Sequence, residues 1–161
     1  MKFVGHHESH IASSLFFSGF SESVNLSIDG FGDFVSCAYG VYKNDNLKID
    51  NKIYFPHSLG IFYQSLTQFL GFKSYGDEYK LMGLSSYGNP KYVDEIHKII
   101  KKKESGFELN LEYFLHHKKK VFELNDKGQF KYKNLYSSKI IDLLGKERLP
   151  DEEISQRHLD I

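Results

Sequence analysis

Residues Ser23 to Phe55 constrain the fold most, because three strand-like segments follow one another there across two short turns. Ser23 to Ile28 alternates Val24, Leu26 and Ile28 with Ser23, Asn25 and Ser27, the period of a strand half-buried on its apolar side. Asp29-Gly30-Phe31-Gly32-Asp33 reads as a glycine turn and Phe34 to Tyr42 as a second strand. Lys43-Asn44-Asp45-Asn46 reads as a second turn and Leu47 to Phe55 as a third strand. Strands joined by turns this short pair antiparallel, so the expected nucleus is a three-strand meander.

The flanks read mainly as helices. Lys2 to Val4 suits the end of a short strand. His7 to Phe17 suits a helix with Ile11, Ala12 and Leu15 on its buried side, stopped by Ser18-Gly19. Pro56 opens a helix over Ser58 to Leu70, in which Leu59, Phe62, Tyr63, Leu66, Phe69 and Leu70 fall at helical spacing and read as core. Further helices are expected over Asp77 to Leu84, Lys91 to Lys103, Leu135 to Leu144 and Asp151 to Ile161. The lysines at 101–103 suit a helix C-terminus, and Pro150 with Asp151-Glu152-Glu153 suits an N-terminus. Glu104 to Asn134 is an excursion rich in lysine and aromatic residues, with strand-like pieces at Phe107 to Leu109, Lys119 to Leu124 and Phe130 to Tyr132. Residues 1–161 are thus expected to be part of one α/β (α+β) domain, incomplete because the last helix stops in mid-pattern.

Composition narrows the partners. Lysine plus arginine and aspartate plus glutamate both number 21, so no global field draws the chain to nucleic acid or to a membrane surface. A single cysteine, Cys37, rules out an internal disulfide and fits a reducing cytoplasm. No apolar run approaches membrane-spanning length.

Three stretches carry chemistry. In Gly5-His6-His7-Glu8-Ser9-His10, His6 and His10 are four residues apart, which on a helix puts both imidazoles on one face about one turn apart. Two neutral imidazoles so placed can share one metal ion, and imidazole suits zinc, iron, copper or nickel. A solvated or hydrogen-bonded pair is the plainer alternative, and His7 points some 100° away. In Asp29-Gly30-Phe31-Gly32, the glycines permit a close backbone approach and can point amides at an anion, while Asp29 can hold a metal or a substrate hydroxyl. A plain hairpin turn explains the same residues. Tyr75 to Gly88 is punctuated by glycine and mixes Glu78 and Lys80 with aromatics, so it suits either a nucleotide or acceptor wall or a tight helix–turn connection.

Taken together and in order, five motifs resemble the N-terminal domain of the O-carbamoyltransferases, which modify nodulation factors, cephem antibiotics and aminoglycosides. The residues that carry the resemblance are His6 to Ser14, Phe17 to Phe20, Ile28 to Gly32, Phe55 to Tyr63 and Gly76 to Leu84, with Arg157 to Ile161 similar to the start of a family helix. The resemblance implies an actin-like, ribonuclease-H-like fold. It also implies a two-step activity, in which carbamoyl phosphate and ATP yield carbamoyl-adenylate and the carbamoyl group then passes to a hydroxyl of a small-molecule or sugar acceptor. It implies a divalent metal, usually iron, held by His6 and His10 and by an aspartate beyond Ile161. Asp29, Gly30, Phe31 and Gly32, with Glu78 and Lys80, are implied to bind the cofactor or donor; no general base is assigned. Ser9 replaces a common alanine, and Ser85-Ser86-Tyr87-Gly88 stands where Ala-Pro-Tyr-Gly is usual. The family's second actin-like half and adenylate-forming domain have no counterpart in these residues, so the expectation is an internal fragment inactive in transfer by itself. A non-catalytic nucleotide- or metal-binding module of the same fold, and a domain whose histidines only pack, remain the alternatives.

Overall fold

The computed structural model describes residues 3–124 and 130–161, in two compact units: residues 1–60 with 102–108, and residues 61–101 with 109–161. The first unit opens with helix α1 (His6–Ser18), closed by Gly19 in the left-handed conformation, at φ 69°. Three strands follow, β1 (Glu22–Gly32), β2 (Val35–Lys43) and β3 (Asn46–Tyr54), in the order β1-β2-β3. Both pairings are antiparallel, with Leu26 opposite Tyr39 and Cys37 opposite Ile53, so the expected meander is present. The result is a mixed α/β architecture, a three-strand antiparallel sheet followed by helices, consistent with an incomplete actin-like, ribonuclease-H-like domain. Phe3 and Val4 carry no strand, and Lys2 lies outside the described residues.

Two details of the meander differ from expectation. The first turn is at Asp33 and Phe34, whose φ angles of 53° and 62° match Asn44 and Asp45 in the second turn at 52° and 56°. Positive φ at both central residues is the two-residue hairpin geometry whose twist suits the flanking strands. Gly30 and Gly32 therefore lie in β1 rather than in the turn, and the register shifts between Ile28 and Gly32.

The burial of β1 is also reversed. Val24, Leu26 and Ile28 are 82%, 60% and 49% exposed, while Asn25 and Ser27 are buried. Helix α1 lies on the polar face because His7 hydrogen-bonds there, and side chains two apart on a strand share a face. The other face is covered on the β3 side by a hairpin tip: Asn51 Nδ2 donates to the Ser105 carbonyl at 2.7 Å, and Gly106 lies against Ile53. Ile11, Val35, Cys37, Ala38 and Ile53 are buried in this unit.

Helix α2 (Leu59–Phe69) runs into the second unit, where Leu66, Phe69 and Leu70 are buried as expected and Phe62 and Tyr63 are half-buried. Then come α3 (Glu78–Ser85), α4 (Val93–Ile99), the paired strands β4 (Ile100–Lys103) and β5 (Gly106–Leu109), a 3-10 turn (Leu111–Tyr113), the pair β6 (Phe122–Leu124) and β7 (Phe130–Tyr132), α5 (Ser138–Leu144) and α6 (Gln156–Asp160). Helix α4 stops at Ile99, since Ile100 is extended and pairs in β4, so the lysines at 101–103 sit on a strand. Helix α5 starts late because the Leu135 amide donates to Gln68 Oε1 at 2.9 Å and Tyr136 bridges to Phe114.

The last helix starts at a Ser155–His158 capping box, well after Pro150. Residues 148–152 are instead wound around buried Arg148. Its guanidinium donates to the carbonyls of Leu70, Pro150 and Glu152 at 2.8–2.9 Å and faces the Phe72 ring. Among the described residues, no helix is long and apolar enough to cross a membrane.

Candidate metal centre

Helix α1 puts His6 and His10 on one face, as their spacing requires, with Nε2 atoms 3.0 Å apart and rings edge to face at 82°. Strand alternation puts Asp29 on the same face of β1 as Ser27, towards α1. Its Oδ2 lies 2.9 Å from His6 Nε2 and 3.6 Å from His10 Nε2. Its Oδ1 accepts the Gly30 amide at 2.6 Å, which turns the other oxygen to the histidines. His6, His10 and Asp29 thus converge, with one ligand atom each, all within 4.8 Å.

This donor set fits a divalent cation. Ligands about 2.1 Å from one ion lie about 3.0 Å apart at right angles and about 3.4 Å apart in a tetrahedron, close to the 2.9, 3.0 and 3.6 Å found here. Hydrogen bonding alone satisfies the cluster poorly. Each imidazole nitrogen has a single in-plane proton or lone pair, whereas His6 Nε2 faces both Asp29 and His10. Two imidazoles and a carboxylate suit iron, zinc or manganese. Burial raises the Asp29 carboxyl pKa, but the bonds from the His6 ring and the Gly30 amide outweigh it and the net shift is downward. The carboxylate form that binds a cation is therefore the favoured one.

The centre is held by groups to which the sequence assigned no such role. The Asp33 carboxylate accepts the His6 backbone amide at 2.9 Å, a cap on the first turn of α1. Glu8 pairs with Lys52 of β3; the bond lowers the Glu8 carboxyl and raises the Lys52 ammonium. Ser58 Oγ donates to the Gly30 carbonyl at 2.7 Å, and a Cβ on Gly60 would stand 2.8 Å from the Asp29 carbonyl oxygen. Glu8 belongs to the His6-to-Ser14 motif, Asp33 to the glycine turn, and Ser58 and Gly60 to the Phe55-to-Tyr63 motif, the signals that pointed towards them. Of the hairpin residues, Gly32 backs the His6 ring, Phe31 packs on Phe55 with ring centroids 5.3 Å apart, and Gly30 serves Asp29.

Glu78 and Lys80 are in the second unit, on α3, a helix with no buried residue. Lys80 Nζ is 2.7 Å from Asp77 Oδ1, a bond that raises its pKa, and it faces the rings of Phe72 and Tyr79. The Tyr63 and Tyr132 hydroxyls are pushed up, first by burial and then by neighbouring groups that include Glu78.

A meander carrying two helical imidazoles against a strand carboxylate defines a candidate metalloprotein module. The family comparison is specific: residues 1–153 match the carbamoyltransferase N-terminus model, and the chain belongs to that family. It is 36% identical over 159 residues to an uncharacterized protein of Synechocystis, covering 97% of this chain and 24% of that protein. It is 41% identical over 90 residues to nodulation protein NolNO of Sinorhizobium fredii, covering 56% of this chain and 13% of that protein. It is 40% identical over 95 residues to nodulation protein NolO of Bradyrhizobium diazoefficiens, covering 58% of this chain and 17% of that protein. The chain therefore spans at most about a quarter of the length of these relatives.

Proposed function

We propose that this chain is the metal-holding part of a carbamoyltransferase that passes a carbamoyl group to a hydroxyl of a small-molecule or sugar acceptor. The donor in this reading is carbamoyl-adenylate made from carbamoyl phosphate and ATP, and the ion is a divalent metal, with iron first. The observation that carries it is the convergence of His6, His10 and Asp29 in a chain of this family. A bound cation there supplies Lewis acidity towards a phosphate or carbonyl oxygen of the donor.

The chain's own contribution is positional. His6 and His10 approach from the helix and Asp29 from the strand, and the Gly30 amide and Ser58 hydroxyl hold the strand segment still. Backbone groups of Asp29 to Gly32 are proposed to meet the donor; Glu78 and Lys80, in the second unit, are kept as separate candidates for binding it. A donor held in one orientation leaves the acceptor hydroxyl a single line of approach.

The test is metal analysis and a carbamoyl-transfer assay on the gene product, with and without His6→Ala and His10→Ala. Loss of both metal and transfer in the double variant supports the proposal. Undiminished metal in that variant refutes the ligand assignment. Metal bound by the native protein with no transfer to any hydroxyl acceptor favours a non-catalytic metal-binding module.

A further inference from the structure

The third histidine of the cluster has a different task. His7 is 1% exposed, and both of its ring nitrogens are engaged. Nε2 lies 2.9 Å from the Val35 carbonyl oxygen of β2. A carbonyl only accepts, so Nε2 carries the proton. Nδ1 is hydrogen-bonded to the Ser27 hydroxyl of β1 at 2.8 Å, a group that can donate or accept. An imidazole with both nitrogens so committed has none left for a cation, although its ring centroid is only 5.3 Å from that of His6.

The placement of these two bonds matters. Ser27 is two residues before Asp29 on the same face of β1, and Val35 pairs with Gly32, against which His6 packs. The His7 ring therefore fastens α1 to β1 and β2 beside the centre, one residue from one histidine ligand and three from the other. His6 is tied at the same level to Asp33, and Glu8 to Lys52, so three successive residues fix the first turn of α1. An apolar side chain would fill the same space at lower desolvation cost. What it lacks is direction, since hydrophobic contact tolerates sliding and rolling that two hydrogen bonds do not.

We propose that His7, through Ser27 and the Val35 carbonyl, is a positioning residue. It sets the distance and roll of α1 on the sheet and thereby the affinity of the His6–His10–Asp29 set for its cation. The inference rests on the metal-centre reading above.

The experiment is a cobalt(II) titration of the full chain followed by visible absorption, with folding checked by far-UV circular dichroism and thermal unfolding. The native chain binds one cobalt, and His6→Ala loses it. His7→Leu is expected to fold, keep one cobalt, bind it at least about tenfold more weakly and show an altered d–d band at saturation. His7→Gln, which keeps a donor towards the Val35 carbonyl, is expected to recover most of that loss. A folded His7→Leu with native affinity and native spectrum overturns the proposal. If His7→Leu does not fold, Ser27→Ala decides: weakened cobalt binding supports the proposal and native binding overturns it. No cobalt binding by the native chain overturns the metal-centre reading itself, and with it this one.

Discussion

Gly32 and the His6 imidazole are in such close contact that a single methyl group at position 32 would overlap the ring. The glycine on β1 is thus the back wall of a candidate ligand. Gly32→Ala is expected to swing His6 away from Asp29 and weaken cobalt binding by about tenfold or more, judged against the usual effect of disturbing a ligand's support. Overpacking should also cost about 1–3 kcal/mol of stability. Cobalt titration and urea unfolding of the same variant check both parts, and native cobalt affinity would show that the ring has room to move.

Asp29 faces both histidines through one oxygen while the Gly30 amide holds the other. Asp29→Asn keeps the shape and removes the charge. Its metal affinity is expected to fall by more than about 100-fold, beyond what loss of a mere supporting group causes. Thermal stability should change little, because the side chain is 43% exposed. Equal metal content in the native and Asp29→Asn proteins would remove Asp29 from the ligand set.

Asp160 gives the second unit an acid-sensitive tie. Its carboxylate accepts from Lys91, Gln156 and the Asn89 amide, which together lower its pKa from 3.8 to about 2. A depressed carboxylate stabilises the fold above its unfolded pKa and loses that contribution as pH falls through the folded value. The melting temperature is therefore expected to drop between about pH 4 and pH 2 through this group, and the drop should shrink in Asp160→Asn. Parallel melting curves for the two proteins across that range would contradict it.

Arg148, 7% exposed, holds three backbone carbonyls and stacks on Phe72. Arg148→Leu would leave the buried Leu70 carbonyl without that donor and release the segment around Pro150. A loss of about 3 kcal/mol in urea unfolding is expected, the sum of one or two stranded acceptors. A loss under about 1 kcal/mol would mean that water replaces the guanidinium without difficulty.

Much of the fold is legible from local physics alone. Two tight turns between alternating segments specify an antiparallel meander. The i, i+4 spacing of His6 and His10 specifies a shared face. The stripe on α2 specifies a buried helix, with Leu66, Phe69 and Leu70 buried at its C-terminal end. These are short-range consequences of backbone period, and they hold whatever lies nearby.

Which face of β1 is covered is not a local property. The alternation of Val24, Leu26 and Ile28 is the same whether a helix packs above or below it, and apolar burial by itself would choose the wrong side. The polar side wins because α1 docks there with His7 on Ser27 and His6 on Asp29. The glycines of Asp29-Gly30-Phe31-Gly32 are visible in the sequence, but their use is not: Gly32 makes room for an imidazole from 26 residues earlier in the chain. Likewise the lysines at 101–103 extend a helix by propensity and end on a strand because β5 offers backbone partners. The sequence by itself determined the meander, the helices that flank it and the chemistry of the candidate ligands. Only the tertiary structure joined His6, His10 and Asp29, because their convergence depends on one helix lying across one strand at a fixed roll.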